Sequence, residues 1–184
     1  MKNIFYDFNS QLTEAINKID HNILVNIVTK LKETSENGRK VILVGNGGSA
    51  AMASHVAVDL SKAVKIRAIT FNESDLITCY ANDYGYEHWV SKALKSYADK
   101  GDLVILISSS GSSKNIINAA NTAKELGLFI VTLSGFSPEN PLKALGDINL
   151  WVDSKGYNIV EMTHHVWLVS IVDFIYGKIE YTSN

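Results

Sequence analysis

Residues 41–55 read VILVGNGGSAAMASH, and residues 102–113 read DLVILISSSGSS. In both stretches a run of four or more apolar residues ends abruptly in a loop of small residues. A run that is apolar continuously, rather than at alternate positions, is typical of a strand buried on both faces of a parallel sheet. Such a sheet carries helices on both sides and binds ligands in the loops that follow its strands. The two stretches therefore predict an α/β fold whose ligand site lies in these two loops.

The remainder of the chain continues this alternation of short apolar runs and helical patterns. Further strands are predicted at IRAITF (66–71), LFIVTLS (128–134) and INLWVD (148–153), with helices at 49–62, 85–98, 113–126 and 159–176 and a short one near Leu142. The series is typical of a three-layer α/β sandwich around a parallel five-stranded sheet. Apolar residues spaced three and four apart from Leu12 to Leu31 predict a long N-terminal helix. We expect one domain over 1–184, with residues 1–37 as a helical extension and 38–184 as the sandwich.

Composition restricts the partners and the compartment. A chain of 184 residues with a formal net charge of −2 can form one substantial core but has no basic run typical of nucleic-acid binding. Neither an apolar run of membrane-spanning length nor a signal-peptide pattern is apparent. The single cysteine, Cys79, is predicted to lie in the core, and it excludes an intrachain disulfide. We expect a cytoplasmic protein that binds small molecules or its own copies.

The first and last helices leave two interpretations open. The last helix is apolar around much of its circumference, and the first lies outside the alternation of strands and helices. Both could pack against another subunit, or both could simply cover the sheet of their own subunit.

The two small-residue loops have the chemistry of an anion site. Glycine allows the backbone to approach a ligand, and the helix that follows each loop directs amide groups and a dipole toward an anion. The second loop adds hydroxyl groups that can donate to the three terminal oxygens of a phosphate monoester. Two alternatives remain: Gly45, Gly47 and Ala50 also fit a dinucleotide fingerprint with Glu73 as the ribose acceptor, and the serines could merely cap a helix.

Four segments resemble the SIS (sugar isomerase) domain family, and within it the sedoheptulose 7-phosphate isomerase, or phosphoheptose isomerase, branch. They are GNGGSAAMASHVAVDL (45–60), CYANDYGYEHWV (79–90), GDLVILISSSGSSKNIINAA (101–120) and, more loosely, GYNIVEMTHHVWLVSIVDFI (156–175). The resemblance implies a flavodoxin-like SIS fold and a homotetramer whose sites lie between subunits. It also implies sugar-phosphate contacts from Asn46, Gly47, Ser49, Ser108, Ser109, Ser110 and Ser113, and contacts to sugar hydroxyls from Asn82 and Asp83.

Two histidine–carboxylate pairs are candidates for metal binding and proton transfer. His55 and Asp59 are four residues apart, which places both on one face of the predicted helix. The resemblance implies one divalent metal per site, zinc by preference, held by His55, Asp59 and Glu161. Where the family carries a further histidine on the last helix, this chain has Val169, and His165 is the candidate replacement. The predicted catalytic residues are thus Asp59 or Glu161 as base and His165 as acid.

The expected function is the isomerisation of sedoheptulose 7-phosphate to an aldose heptose 7-phosphate for surface glycans such as lipopolysaccharide or capsule. A non-catalytic SIS protein is a second interpretation, either a sugar-phosphate sensor or a protein that associates with the replication initiator. An isomerase for a different phosphosugar is a third.

Overall fold

The computed structural model describes residues 3–180, which form seven α-helices and five strands. The helices are α1 (Ile4–Asn17), α2 (His21–Glu36), α3 (Gly48–Lys62), α4 (Ser74–Tyr84), α5 (Trp89–Tyr97), α6 (Lys114–Glu125) and α7 (Tyr157–Tyr176). The strands are β1 (Val41–Val44), β2 (Ala68–Thr70), β3 (Leu103–Ser108), β4 (Phe129–Ser134) and β5 (Ile148–Trp151). A 3₁₀ turn at Pro141–Leu145 takes the place of the short helix predicted near Leu142.

All five strands are parallel and lie in the order β2-β1-β3-β4-β5. The order reverses between β1 and β3, because the chain moves outward to β2 and then returns to the other side of β1. Val44 pairs with Leu106 near the carboxyl ends of these two strands, so the loops that follow them leave the sheet side by side. Such a switch point is where open α/β sheets bind ligands, so the topology brings the two loops singled out in the sequence together.

Side chains of the central strands alternate between two hydrophobic clusters, one on each face of the sheet. Val41 and Leu43 belong to the cluster beneath α2, α3 and α7, whereas Ile42 and Val44 belong to the cluster beneath α5 and α6. Strands β1 and β3 are buried along their whole length. The three-layer sandwich and its parallel sheet are therefore confirmed. The division into a helical extension (1–37) and a sandwich (38–184) stays a prediction. Residues 1–2 and 181–184 of this predicted domain lie outside the described residues.

The predicted long N-terminal helix is two helices. Lys18 is the C-cap of α1, and Asp20 adopts an extended conformation (φ −71°, ψ 111°), where its side chain accepts a hydrogen bond of 2.9 Å from the backbone of Asn22. An aspartate at an N-cap satisfies an amide group that the first turn leaves free, which favours a new helix start. The apolar spacing continues across the break because both helices pack against α7.

Helix α4 was not predicted from the sequence, and Cys79 does not lie where it was predicted. Residues 74–84 form this helix beside the sheet, and within the described part of the chain it has no fully buried residue. Cys79 is exposed on it, with its Sγ 3.8 Å from Asp83, so the prediction of a core cysteine is wrong.

Helix α7 is long and apolar enough to cross a membrane by length and composition alone. Nearly half of its most apolar window (44%) is buried inside the protein, with Val160, Trp167 and Leu168 in the core. A core helix of a globular domain has the same composition, so α7 is weak support for a membrane span.

Candidate active site

The loops after β1 and β3 are tied together at the switch point by a pair of amide side chains. Asn46 donates to Asn115 Oδ1 over 3.0 Å, and Asn115 donates to Asn46 Oδ1 over 2.8 Å. The hydroxyl of Tyr86 also donates to Asn46 Oδ1, over 3.1 Å. Asn115 is buried in the first turn of α6, so these hydrogen bonds fix the glycine loop against the helix that follows the serine loop.

Two glycines of the first loop have conformational or steric reasons to be glycine. Gly47 has φ of 52°, in the left-handed region that other residues rarely adopt. At Gly48 a Cβ atom would collide with the carboxylate of Glu161. The loop therefore lets a side chain from α7 reach the start of α3.

The loop residues surround a small cavity of about 110 Å³, which we call the serine cavity. Its lining consists of Asn46, Ser49, Ile107, Ser108, Ser109, Ser110, Ser113, Tyr157 and Glu161. Among the residues that the structure describes, none of this lining is a lysine or an arginine. An anion in the serine cavity would therefore be held by hydroxyl groups, backbone amides and helix dipoles.

The serines do not cap the neighbouring helices. Ser113 is the N-cap residue of α6, yet its hydroxyl accepts a 3.1 Å hydrogen bond from Ser108 and makes no side-chain cap bond. Gly47, the N-cap residue of α3, offers no side chain for capping. Within residues 3–180, both helices thus begin at the serine cavity without a side-chain cap, which argues against the capping interpretation of the serines.

Glu161 brings a negative charge to the serine cavity. Ser109 donates to Glu161 Oε1 over 3.3 Å, while Oε2 lies against Gly48. A carboxylate thus contacts both loops at the place that the sequence analysis assigns to a phosphate.

A second polar group lies further along α3 and α7, and we call it the Asp59–His55–His165 group. His55 Nδ1 and His165 Nε2 are hydrogen-bonded at 2.9 Å, with their rings edge to face. The other ring nitrogen of His55, Nε2, lies 3.1 Å from Asp59 Oδ2. His55 follows Ser49 by six residues, so the group is displaced from the serine cavity by about 9 Å along the axis of α3.

The two histidines of α7 have different environments. Burial lowers the pKa of His165, and the nearby His55 lowers it further, although Asp59 opposes this. His164 is fully buried, with its Nε2 3.0 Å from the carbonyl oxygen of Ser134, and burial lowers its pKa to about 4. His164 is therefore a neutral packing residue, whereas His165 faces α3. Val169, at the position of the missing family histidine, packs against the core.

The predicted zinc ligands do not form one group within the chain. No set of three His, Cys, Asp or Glu side chains among the described residues is placed to hold a metal ion. Glu161 contacts Ser109, and both ring nitrogens of His55 already face other side chains. The donors of one chain, as they are arranged here, do not fit a zinc site.

Asn82 and Asp83 lie in the last turn of α4, not in the predicted loop. Asn82 donates to Asp83 over 2.9 Å, and both are exposed. Three further neighbours of the site were not predicted from the sequence: Asn115, Tyr86 and Tyr157. Tyr86 could have been found, because it belongs to the YGY segment directly after Asn82 and Asp83. No sequence motif marks Asn115 or Tyr157, apart from their position near the loops.

Comparison with known proteins identifies relatives over most of the chain. The sequence profile of the SIS domain family matches residues 4–135. The phosphoheptose isomerase of Aliarcobacter butzleri is 37% identical over 156 residues, which cover 81% of this chain and 82% of that protein. A probable phosphoheptose isomerase of Thermoplasma acidophilum is 34% identical, with 85% and 87% covered. Among solved structures, phosphoheptose isomerase GmhA from Neisseria gonorrhoeae superposes with a TM-score of 0.85 at 28% identity, covering 93% of this chain and 94% of that one.

Proposed function

Because the chain belongs to the SIS domain family, and within it to the phosphoheptose isomerases, we propose that it interconverts sedoheptulose 7-phosphate and D-glycero-D-manno-heptose 7-phosphate. One observation carries the proposal. The serine cavity and the Asp59–His55–His165 group lie along the same pair of helices, as a site for phosphate and a site for proton transfer on one elongated substrate would require.

The phosphate end of the substrate is assigned to the serine cavity. Its four loop serines, together with Ser49 and the uncapped starts of α3 and α6, provide enough donors for a dianionic phosphate. A dinucleotide is a poorer fit, because Glu73, the proposed ribose acceptor, is exposed at the start of α4.

The reacting end is assigned to the Asp59–His55–His165 group, since C1 and C2 of the sugar are the carbons furthest from the phosphate. A base removes a proton from C1 of the ketose, a proton is added to C2, and a hydroxyl proton moves from O1 to O2. The reaction thus needs no oxidant and no net proton. We propose that His165 moves the carbon-bound proton. It is hydrogen-bonded to His55, which in turn contacts Asp59. Glu161, predicted as a base, lies instead at the phosphate end.

Zinc stays a prediction. The ligand positions within one chain do not support it, so no step of this mechanism passes through a metal. Neutral imidazole and carboxylate groups are sufficient for the proton transfers described.

We propose a homotetramer with sites between subunits, acting in the cytoplasm on a sugar phosphate, with no nucleic acid and no membrane as partner. Exposed apolar residues support an interface: Ile4, Phe5 and Tyr6 begin α1, and Met162 and Val166 lie on α7. An apolar surface of this kind is typical of a protein–protein contact. The product would supply heptose for a surface glycan such as lipopolysaccharide or capsule.

A sugar-phosphate-binding regulator is the second candidate, and Val169 favours it, because the family's histidine is replaced there by an apolar residue that packs on the core.

A panel of ketose phosphates with seven, six and five carbons separates the candidates. We expect the purified protein to convert sedoheptulose 7-phosphate fastest, with the aldose identified by NMR. Turnover of only a shorter sugar would indicate another phosphosugar isomerase, and binding without turnover would indicate a regulator.

A further inference from the structure

Tyr157 lines the serine cavity at the end that is remote from the Asp59–His55–His165 group. It is the first residue of α7 and borders the cavity together with Glu161. Tyr157, Glu161 and His165 follow one another at intervals of four residues, so they share one face of the helix. His165 lies about 12 Å further along the helix axis than Tyr157. A sugar that extends from the serine cavity toward His165 therefore extends away from Tyr157.

A packed aromatic neighbour restricts the position of the Tyr157 ring. Phe136 meets this ring edge to face, with the ring centroids 4.9 Å apart. Phe136 has φ of 58°, in a region that bulky residues rarely adopt, and its backbone amide donates to the carbonyl oxygen of Ser154 over 2.9 Å. A Cβ atom at Gly135 would come within 3.0 Å of the carbonyl oxygen of Ser109, so this segment lies directly against the serine loop. Backbone outliers of this kind are concentrated at ligand sites.

The hydroxyl group of Tyr157 is available to a ligand. Among the described residues it has no hydrogen-bond partner, and 60% of the residue is exposed. A phenolic hydroxyl can donate to an anionic oxygen, and no lysine or arginine among the described lining residues serves the cavity instead.

We infer that Tyr157 is a specificity-determining residue that closes the phosphate end of the site. Its hydroxyl donates to a terminal phosphate oxygen, and its ring occupies the space that a further group on the phosphorus would need. The site therefore accepts a sugar that ends in a phosphate monoester and rejects one whose phosphate continues into a second phosphoryl group. The inference rests on the proposed function for the direction in which the sugar lies.

Isothermal titration calorimetry with ribose 5-phosphate and ribose 5-diphosphate tests the inference at constant pH. The two probes carry the same sugar, so only the diphosphate has a group that must pass Tyr157. We expect the wild type to bind the diphosphate at least about tenfold more weakly than the monophosphate, and Tyr157→Ala to bind the two within about threefold of each other. Tyr157→Phe keeps the ring, so it should retain the discrimination while binding ribose 5-phosphate about threefold more weakly. Tyr97→Ala removes a half-exposed tyrosine from the end of α5 and should match the wild type.

The inference is overturned if the wild type binds the two probes equally or binds neither, or if Tyr157→Ala retains the wild-type ratio. Turnover of sedoheptulose 7-phosphate, measured on the same wild-type preparation, separates this inference from the proposed function. Discrimination that depends on Tyr157 in a protein without turnover removes the proposed function alone. Turnover by a protein without that discrimination removes the inference alone.

Discussion

At the scale of single residues, Glu161 is the unusual feature of the serine cavity. Its carboxylate contacts Ser109 and Gly48, and no lysine or arginine among the described lining residues offsets its charge. A phosphate entering the serine cavity has to displace this carboxylate or to bind beside it. Two negative charges in one small cavity repel each other, which should weaken anion binding.

Glu161→Gln should therefore bind inorganic phosphate more tightly, by roughly tenfold, because the amide keeps the shape of the side chain without its charge. Isothermal titration calorimetry at constant pH measures the affinity. Glu125→Gln, at the exposed end of α6, is the matched control and should match the wild type. Equal affinity in Glu161→Gln and the wild type would show that the carboxylate does not compete with the anion.

His164 makes a second prediction at this scale. Burial lowers its folded-state pKa to about 4, whereas in the unfolded chain the pKa is near 6.5. Below pH 6.5 the unfolded state therefore binds a proton that the folded state does not bind until about pH 4. The free energy of unfolding falls across this window as the pH falls, by about 3 kcal/mol in total from this group.

Urea unfolding at pH 7.5 and pH 5 measures that change. His164→Gln retains a donor for the Ser134 carbonyl oxygen but cannot titrate, so its free energy of unfolding should decline less between the two pH values. A decline equal to that of the wild type would assign the acid sensitivity to other groups.

At the scale of secondary-structure elements, Asp102 joins the starts of two central strands. Its buried carboxylate accepts from the backbone amides of Lys40 and Asp99 at 3.0 and 2.8 Å, and it lies 2.6 Å from Lys40 Nζ. Lys40 precedes β1 and Asp102 precedes β3, so this carboxylate helps to set the register from which both ligand loops emerge.

Asp102→Ala should lower the free energy of unfolding by about 3 kcal/mol, because it leaves a lysine and two amides without their buried partner. Thermal or urea denaturation measures the loss. Glu33→Ala removes a carboxylate from the exposed pair with Lys30 and should cost no more than about 0.5 kcal/mol. Similar losses in both variants would contradict the special role of Asp102.

The elements also show which features the sequence could predict. Strands β1, β3 and β4 were predictable because continuous apolar runs reflect burial on both faces. The break at Asp20 was hidden because the apolar spacing continues through it. Helix α4 packs on the core through residues that are only partly buried, such as Leu76, Ile77 and Tyr80, and its short stripe was not recognised in the sequence. The contact between His55 and His165 joins residues 110 apart in sequence and depends on how α3 crosses α7, which no local pattern encodes.

At the scale of the whole molecule, large apolar residues are exposed on several helices, α1 and α7 among them. The described residues of α1 include no buried side chain, and Phe5 is 84% exposed. Val166 is exposed on the outer face of α7. If these surfaces meet other subunits, the protein is an oligomer in solution.

Light scattering after gel filtration should give the mass of a tetramer for the wild type. Phe5→Glu combined with Val166→Glu should give a smaller species, because a charge buried at an apolar interface is unfavourable. Lys124→Glu, a charge reversal on the exposed face of α6, should remain tetrameric. A monomeric wild type, or a double variant of unchanged mass, would contradict this interface.

We propose that proton transfer takes place at the Asp59–His55–His165 group on a sugar whose phosphate occupies the serine cavity. The most direct measurement is the rate of sedoheptulose 7-phosphate isomerisation by the wild type and by His165→Gln, with phosphate binding measured on both. We predict turnover by the wild type, a rate at least about 100-fold lower in His165→Gln, and unchanged phosphate affinity. Absence of turnover in the wild type, or an undiminished rate in His165→Gln, would contradict this assignment.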